Sequence, residues 1–326
     1  MYNLFYLLLA KSSILVGGQA VIEGVMMRVP GAYATAVRLK DNSIKTKRHT
    51  FVSLIDKLKI KNYFIIRGVI HLFESMKMGY QTLDWSAQMN DDDYKEGKNI
   101  KLCDKLRDAL ASMFSVLFAL GLFLLLPLFF TFYFDNIINK PFVFNIISGF
   151  FRISIFLLYL ILIAQLKDVK TLFRYHGAEH KVVYNFESGL PLTIKNAKTF
   201  QTQHPRCGTS FVFIIMLVTI FTHAILDTIA LMFINELTIL TRFILHIICL
   251  PLVAGFGYEV LKFLSTRQSI TFFSLLSKPG LWLQNITTKE PTDLELEVSI
   301  VALQSAFGKN NLENLKGQKF TAEAIG

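Results

Sequence analysis

Between Arg174 and Ser210 the chain reads RYHGAEHKVVYNFESGLPLTIKNAKTFQTQHPRCGTS, and three of its seven histidines fall there. His176, Glu179 and His180 spell H-x-x-E-H, a pattern met in one class of zinc peptidase. Residues four apart on a helix share a face. At about 100° per residue, His176, His180 and Glu187 lie within roughly 40° of one another. Glu179 projects beside that stripe, as a general base beside a metal does. His204 and Cys207 add a nitrogen and a sulfur three residues apart, a usable spacing for zinc. Imidazole with thiolate favours zinc over magnesium or calcium. The candidate ligands of a divalent metal are therefore His176, His180, His204, Cys207 and Glu187. Glu179 is the candidate base, and Arg206 or Arg174 could hold an anionic oxygen.

These residues need a scaffold. A helix carrying the H-x-x-E-H face should end at Gly189 and Pro191, and Thr209 or Ser210 should cap the next one. The flanks are apolar. The chain has 326 residues, 52% of them hydrophobic, with 30 phenylalanines. A soluble domain has about 45–50% apolar residues. Here the excess sits in four runs: Ala109 to Phe134, Phe142 to Leu166, Ser210 to Phe233 and Leu240 to Leu264. Each approaches the ~20 apolar residues that cross a bilayer, and Pro127 predicts a kink in the first. His223, Asp227 and His246 lie within these runs; ionisable residues there are functional suspects, and His223 and Asp227, four apart, are placed to pair.

The net charge is +10. In a membrane protein this points to loops on anionic lipid, and the chain carries no nucleic-acid motif. Lys and Arg crowd the segment before Leu110 and the central loop, including Lys167, Lys170, Arg174, Lys181, Lys195, Lys198 and Arg206. The positive-inside rule puts that loop and both termini in the cytoplasm. Three scattered cysteines make no disulfide framework. MYNLFYLLLA at the start lacks a basic region and a cleavage site, so it reads as an interfacial start, not a signal peptide.

The predicted architecture is mainly α: a polytopic membrane protein with about four transmembrane helices, cytoplasmic amphipathic helices and a small N-terminal β-ribbon. Residues 1–98 form the N-terminal region, 99–266 the membrane domain with its motif loop 167–209, and 267–326 a C-terminal helical region and tail. Gly17 to Ala36 reads as a Gly-rich loop whose Glu23 or Arg28 could reach the site. Ala34 to Val52 reads as a surface hairpin turning at Asp41-Asn42-Ser43. Ser53 to Met89 is a charged amphipathic helix at the membrane surface, with His71 and Glu74 as a pair. Lys278-Pro279-Gly280 marks a turn, Glu290 could face inward from the next, and Thr292 or Asp293 caps a last helix to about Phe307.

Three blocks, YHGAEHK, HPRCGTSF and GGQAVIEGVMMRVPGAYA, resemble the DUF1385 family of bacterial membrane proteins. RGVIHLFESMKMGYQTLDWS and KPGLWLQNITTKEPTDLELEVSIVAL resemble further blocks of it, so the likeness runs from about Gly17 to Ala306. It implies a multi-pass protein of the bacterial cytoplasmic membrane and a metal-dependent enzyme, and leaves the substrate open. The reading that follows is a hydrolase with a divalent metal, zinc by its ligands. His176 and His180 would bind with Cys207, His204 or Glu187; Glu179 is the base, with Glu23 and Arg206 at the site. Its substrate would be a membrane-associated lipid or peptide. The alternatives are a scaffold closed by a structural zinc on His176, His180, His204 and Cys207, or a transporter using His223, Asp227 and His246, for which four spans call for a homo-oligomer. A metal-free Cys–His acyl transfer also fits Cys207.

Overall fold

The structure, a computed structural model, describes residues 16–58, 63, 65–91, 102–134, 140–265 and 271–308. The apolar start, the linker from residue 92 and the tail beyond Gly308 lie outside these residues. Four helical segments are long and apolar enough to cross a membrane: Ala109–Phe132, Pro141–Ile163, Val212–Ala230 and Ile239–Val260. Their outer faces carry exposed apolar side chains such as Phe114, Phe150, Phe221 and Ile248, as lipid-facing helices do. This is a mainly α polytopic membrane protein with a small antiparallel sheet at its N-terminal end.

The first span begins as α3 (Leu102–Leu120), passes through a π-helical turn at Gly121–Leu125, and ends as α4 (Leu126–Phe132). Pro127 causes this. It has no N–H, so the carbonyl four residues back, Phe123 O, loses its helical donor. Arg152 of α5 (Pro141–Ile163) supplies one instead, Nε donating at 3.2 Å. The kink expected at Pro127 is thus a widened turn whose orphan carbonyl is answered from the next span.

The sheet is a meander of β1 (Gly17–Val21), β2 (Gly24–Val29), β3 (Ala32–Arg38) and β4 (Ile44–Thr50), each antiparallel to its neighbour. The segment predicted as a Gly-rich loop is therefore three strands joined by two-residue turns at Ile22-Glu23 and Pro30-Gly31. Both faces are covered, which hides the usual polar alternation. Val25, Met27, Val29, Ala32, Ala34 and Ala36 pack on one side against α6 (Lys167–Glu187) and α11 (Asp293–Phe307). Val21, Met26, Tyr33 and Val37 pack on the other against Met78 and Trp85 of α2 (Ile66–Asn90). Only β4 matches the expected surface ribbon: Lys45, Lys47 and Arg48 are exposed, whereas β3 is buried from Ala32 to Val37.

Short α1 (Leu54–Leu58) precedes α2, and α2 joins the sheet to the membrane. Arg67 forms a bidentate pair with Glu259 at 2.6 and 2.5 Å, near the end of α9 (Ile239–Ser265). α7 (Ile194–Lys198) is one turn of the motif loop, α8 (Gly208–Ala230) is the third span, and α10 (Thr271–Thr287) packs against it. α10 continues through Pro279. The turn expected at Lys278-Pro279-Gly280 does not form, because packing against α8 holds the helix across the proline. α11 starts as predicted at Thr292, in a reciprocal capping box with Glu295. Glu295 also pairs with Arg174 at 2.9 Å, tying α11 to α6.

Candidate metal centre

Helix α6 carries the H-x-x-E-H residues and ends at Ser188-Gly189. Its His176 Nδ1 lies 2.8 Å from Thr287 O, and His180 Nδ1 lies 2.5 Å from Thr202 O. A carbonyl only accepts, so each Nδ1 carries the proton. In the neutral rings each Nε2 then keeps its lone pair, the way metal-binding histidines are oriented. His176 Nε2 is 3.1 Å from Cys207 Sγ. Ligand atoms of His176, His180 and Cys207 all lie within 4.8 Å of one another. Tetrahedral zinc, with bonds of about 2.0–2.3 Å, needs separations of about 3.3–3.8 Å. The donor set and its spacing fit such an ion with small side-chain movements.

Cys207 stands at the cap of α8, where Thr209 N–H donates to its sulfur at 3.4 Å. The sequence pointed to Thr209 or Ser210 for that cap; the sulfur takes it, at the positive end of the helix dipole. Gly177, between the two histidines, leaves room for the chain after α10. A Cβ there would collide with the Lys289 carbonyl, and Lys289 N–H donates to Phe173 O at 2.9 Å. That close crossing delivers Thr287 O to His176.

Glu179 is buried, 5% exposed, with Oε2 3.4 Å from His180 Nε2. Burial pushes its carboxyl above the ordinary range, against the pull of His176 and His204. The Gly18 backbone also hydrogen-bonds this carboxylate. A Cβ on Gly18 would strike the Met26 carbonyl and come 3.0 Å from Glu179 Cγ. The N-terminal motif thus reaches the H-x-x-E-H helix through a glycine amide. Glu23 is exposed; it accepts a 3.4 Å hydrogen bond from Tyr175 Oη and is not among the clustered donors. Arg28 sits 4.7 Å above the Phe51 ring and lines a cavity of about 530 Å³ with Gly18, Gln19, Met26 and Ser53.

The remaining predicted residues form an adjoining group, the His204 ring centre 5.5 Å from that of His180. Arg206 pairs with the Glu187 carboxylate, His204 Nε2 lies 3.9 Å from it, and Arg206 N–H donates to His204 Nδ1 at 3.3 Å. Gln284 clamps the His204 backbone, accepting at 2.7 Å and donating at 2.8 Å. Burial acts to raise the Glu187 carboxyl, but the His204 hydrogen bond and Arg206 outweigh it and hold it low. Burial lowers His204, against the opposing pull of Glu187. A histidine lowered in the folded state contributes its stability above the ordinary value of about 6.5 and loses it as pH falls below that value. We therefore expect the melting temperature to drop between pH 7.5 and 5.5, and to drop less in His204→Gln. Parallel pH profiles in the two proteins would refute this. Elsewhere, His71 and Glu74 stay together at 3.6 Å, and Glu290 is solvent-facing, 2.6 Å from buried Lys181.

Thr202, Thr287, Gln284 and Gly18 were not legible as site residues. The two threonines and Gly18 act through backbone atoms, which no side-chain pattern signals. Gln284 lies within the KPGLWLQNITTKEPTDLELEVSIVAL block, but nothing in its spacing points to His204.

The fold and site together define a multi-pass membrane protein with a His–His–Cys cluster at one end of its helical bundle. The chain belongs to the family described as protein of unknown function DUF1385, whose model matches residues 64–309. It is 31% identical over 297 residues to the uncharacterised protein YqhQ of Bacillus subtilis (strain 168), covering 87% of this chain and 89% of that protein. No solved structure matches it.

Proposed function

We propose that the chain is a metal-dependent hydrolase of the bacterial cytoplasmic membrane, with zinc held by His176, His180 and Cys207. The observation that carries this is the pinning of both imidazoles by backbone carbonyls, which leaves each Nε2 with its lone pair, His176 Nε2 3.1 Å from the Cys207 sulfur and ligand atoms of all three residues within 4.8 Å of one another. His204 and Glu187 are engaged with Arg206, so the set has three protein ligands, the number found in catalytic rather than closed structural sites. A zinc ion there supplies Lewis acidity towards a carbonyl or phosphoryl oxygen. Glu179, held by the Gly18 amide beside His180, takes the proton from attacking water and returns it to the leaving group. Arg206 fixes the His204 turn that presents Cys207. Glu23 supports α6 through Tyr175.

The Lys/Arg asymmetry of the loops supports a cytoplasmic placement for this end of the bundle and for both termini. A site there suits a lipid headgroup or a membrane-tethered peptide. The cavity sharing Gly18 with the site offers Arg28 to an anionic group on that substrate. Hydrolysis inserts one oxygen from water, whatever the substrate. In water enriched with oxygen-18, wild type incubated with bacterial membrane lipids and membrane peptides should give labelled products detectable by mass spectrometry. Glu179→Gln should give none while retaining its metal. Labelling that is absent in the wild type, or equal in Glu179→Gln, removes the hydrolase reading.

A further inference from the structure

A second polar group lies inside the bundle, away from the His–His–Cys cluster. Along α8 it starts about 24 Å from Cys207, at 1.5 Å per residue to His223. Asp227 is fully buried and shared by three donors. Asn145 Nδ2 donates to it at 2.7 Å, His246 Nε2 lies at 3.0 Å, and Arg242 pairs with it directly. The pairing of His223 with Asp227 expected from their spacing is not formed. His223 instead stacks on His246, ring centres 3.7 Å apart and planes 9° apart.

This leaves a set of polar atoms without protein partners among the described residues: both ring nitrogens of His223, Ser148 Oγ and Arg152 Nη2. All three side chains are more than nine-tenths buried. They belong to one place. Ser148 and Arg152 are one turn apart on α5 and share a face. Asn145 meets Asp227, and the Gly149 backbone lies against Ile220; this antiparallel register sets Ser148 level with His223. Arg152 is in electrostatic range of His223, His246 and Asp227.

The chemistry of the group selects a ligand. Two guanidinium groups face one carboxylate, which is already committed to Arg242. The surplus charge is one positive unit, and a guanidinium, a hydroxyl and an imidazole N–H all seek acceptors. A cation would meet two arginines; an anion with oxygen acceptors satisfies both charge and hydrogen bonding. Water could take the hydrogen bonds but leaves the Arg152 charge unbalanced in a low dielectric. We propose that this layer of the bundle binds one monovalent oxyanion, a carboxylate or a phosphate diester, through Arg152, Ser148 and His223.

The two sources of such an anion are small solutes and lipid headgroups, and they separate experimentally. Protein purified in detergent is delipidated and dialysed to equilibrium against radiolabelled formate, and its phosphorus content is measured before and after delipidation. Saturable formate uptake, lost in Arg152→Gln and roughly tenfold weaker in Ser148→Ala, as one hydrogen bond predicts, supports the site with a solute as its ligand. Phosphorus retained stoichiometrically by wild type and shed by both variants supports it with a lipid as its ligand. Ser148→Ala changes a small side chain and keeps the fold testable should Arg152→Gln fail to assemble. Neither formate uptake nor variant-sensitive phosphorus, or uptake that Ser148→Ala leaves unchanged, overturns the proposal.

Discussion

Purified without added metal, wild type should carry zinc near one ion per chain, and His176→Ala, His180→Ala and Cys207→Ser should each carry almost none. The expectation rests on the way three side chains from different parts of the chain are held. His176 is fixed by Thr287 O at the end of α10, His180 by Thr202 O in the motif loop, and Cys207 by the start of α8. Such preorientation is usual for metal ligands, and losing an orienting partner alone costs about 10–100-fold in affinity. Losing a ligand should cost more, because two remaining donors hold zinc poorly. Glu179→Gln is the control: it keeps all three donors and should keep the metal. Each variant's helical content and melting behaviour would be recorded beside its zinc content, to separate loss of a ligand from loss of fold. Equal zinc in all the proteins, or none in wild type after zinc is supplied, would end the metal reading.

The placement of the two imidazoles on α6 was legible, since H-x-x-E-H fixes them on one face whatever surrounds the helix. Glu187 shows the limit of that reasoning. It shares the stripe by angle, but seven residues at 1.5 Å each put it about 10.5 Å along the axis from His180. At that level it meets Arg206 and His204 instead. The four spans were legible because apolar length is a strong signal. The sheet was harder to see: β2 and β3 are covered on both faces, so Ala, Val and Met replace the alternation that marks a half-exposed strand. Arg152 and Arg242 sit in the spans as isolated charges. Their roles depend on partners in other helices, Phe123 O for one and Asp227 for the other, which spacing along one segment does not reveal.

The largest stability effect should come from that intramembrane group. Asp227→Ala should destabilise the protein by about 3–5 kcal/mol, the cost of removing one partner from a buried ion pair. The size follows from what is left behind. Arg242 is fully buried, its guanidinium carbon 3.8 Å from the centre of the Phe144 ring, and without the carboxylate its charge has no counter-ion there. His246 loses its acceptor at the same time, and Asn145 keeps only the Pro141 carbonyl. Asp227→Asn retains an acceptor oxygen but not the charge, so it should fall between wild type and Asp227→Ala. Asp227→Ala/Arg242→Met should recover much of the loss, because the double change removes the stranded charge and refills the volume against Phe144. Thermal unfolding in one detergent, followed by tryptophan fluorescence, ranks the four proteins. An Asp227→Ala protein within about 1 kcal/mol of wild type would mean that the pair is solvated by water entering the bundle. A double variant no more stable than the single one would show that the cost lies in lost packing, not in the unpaired charge.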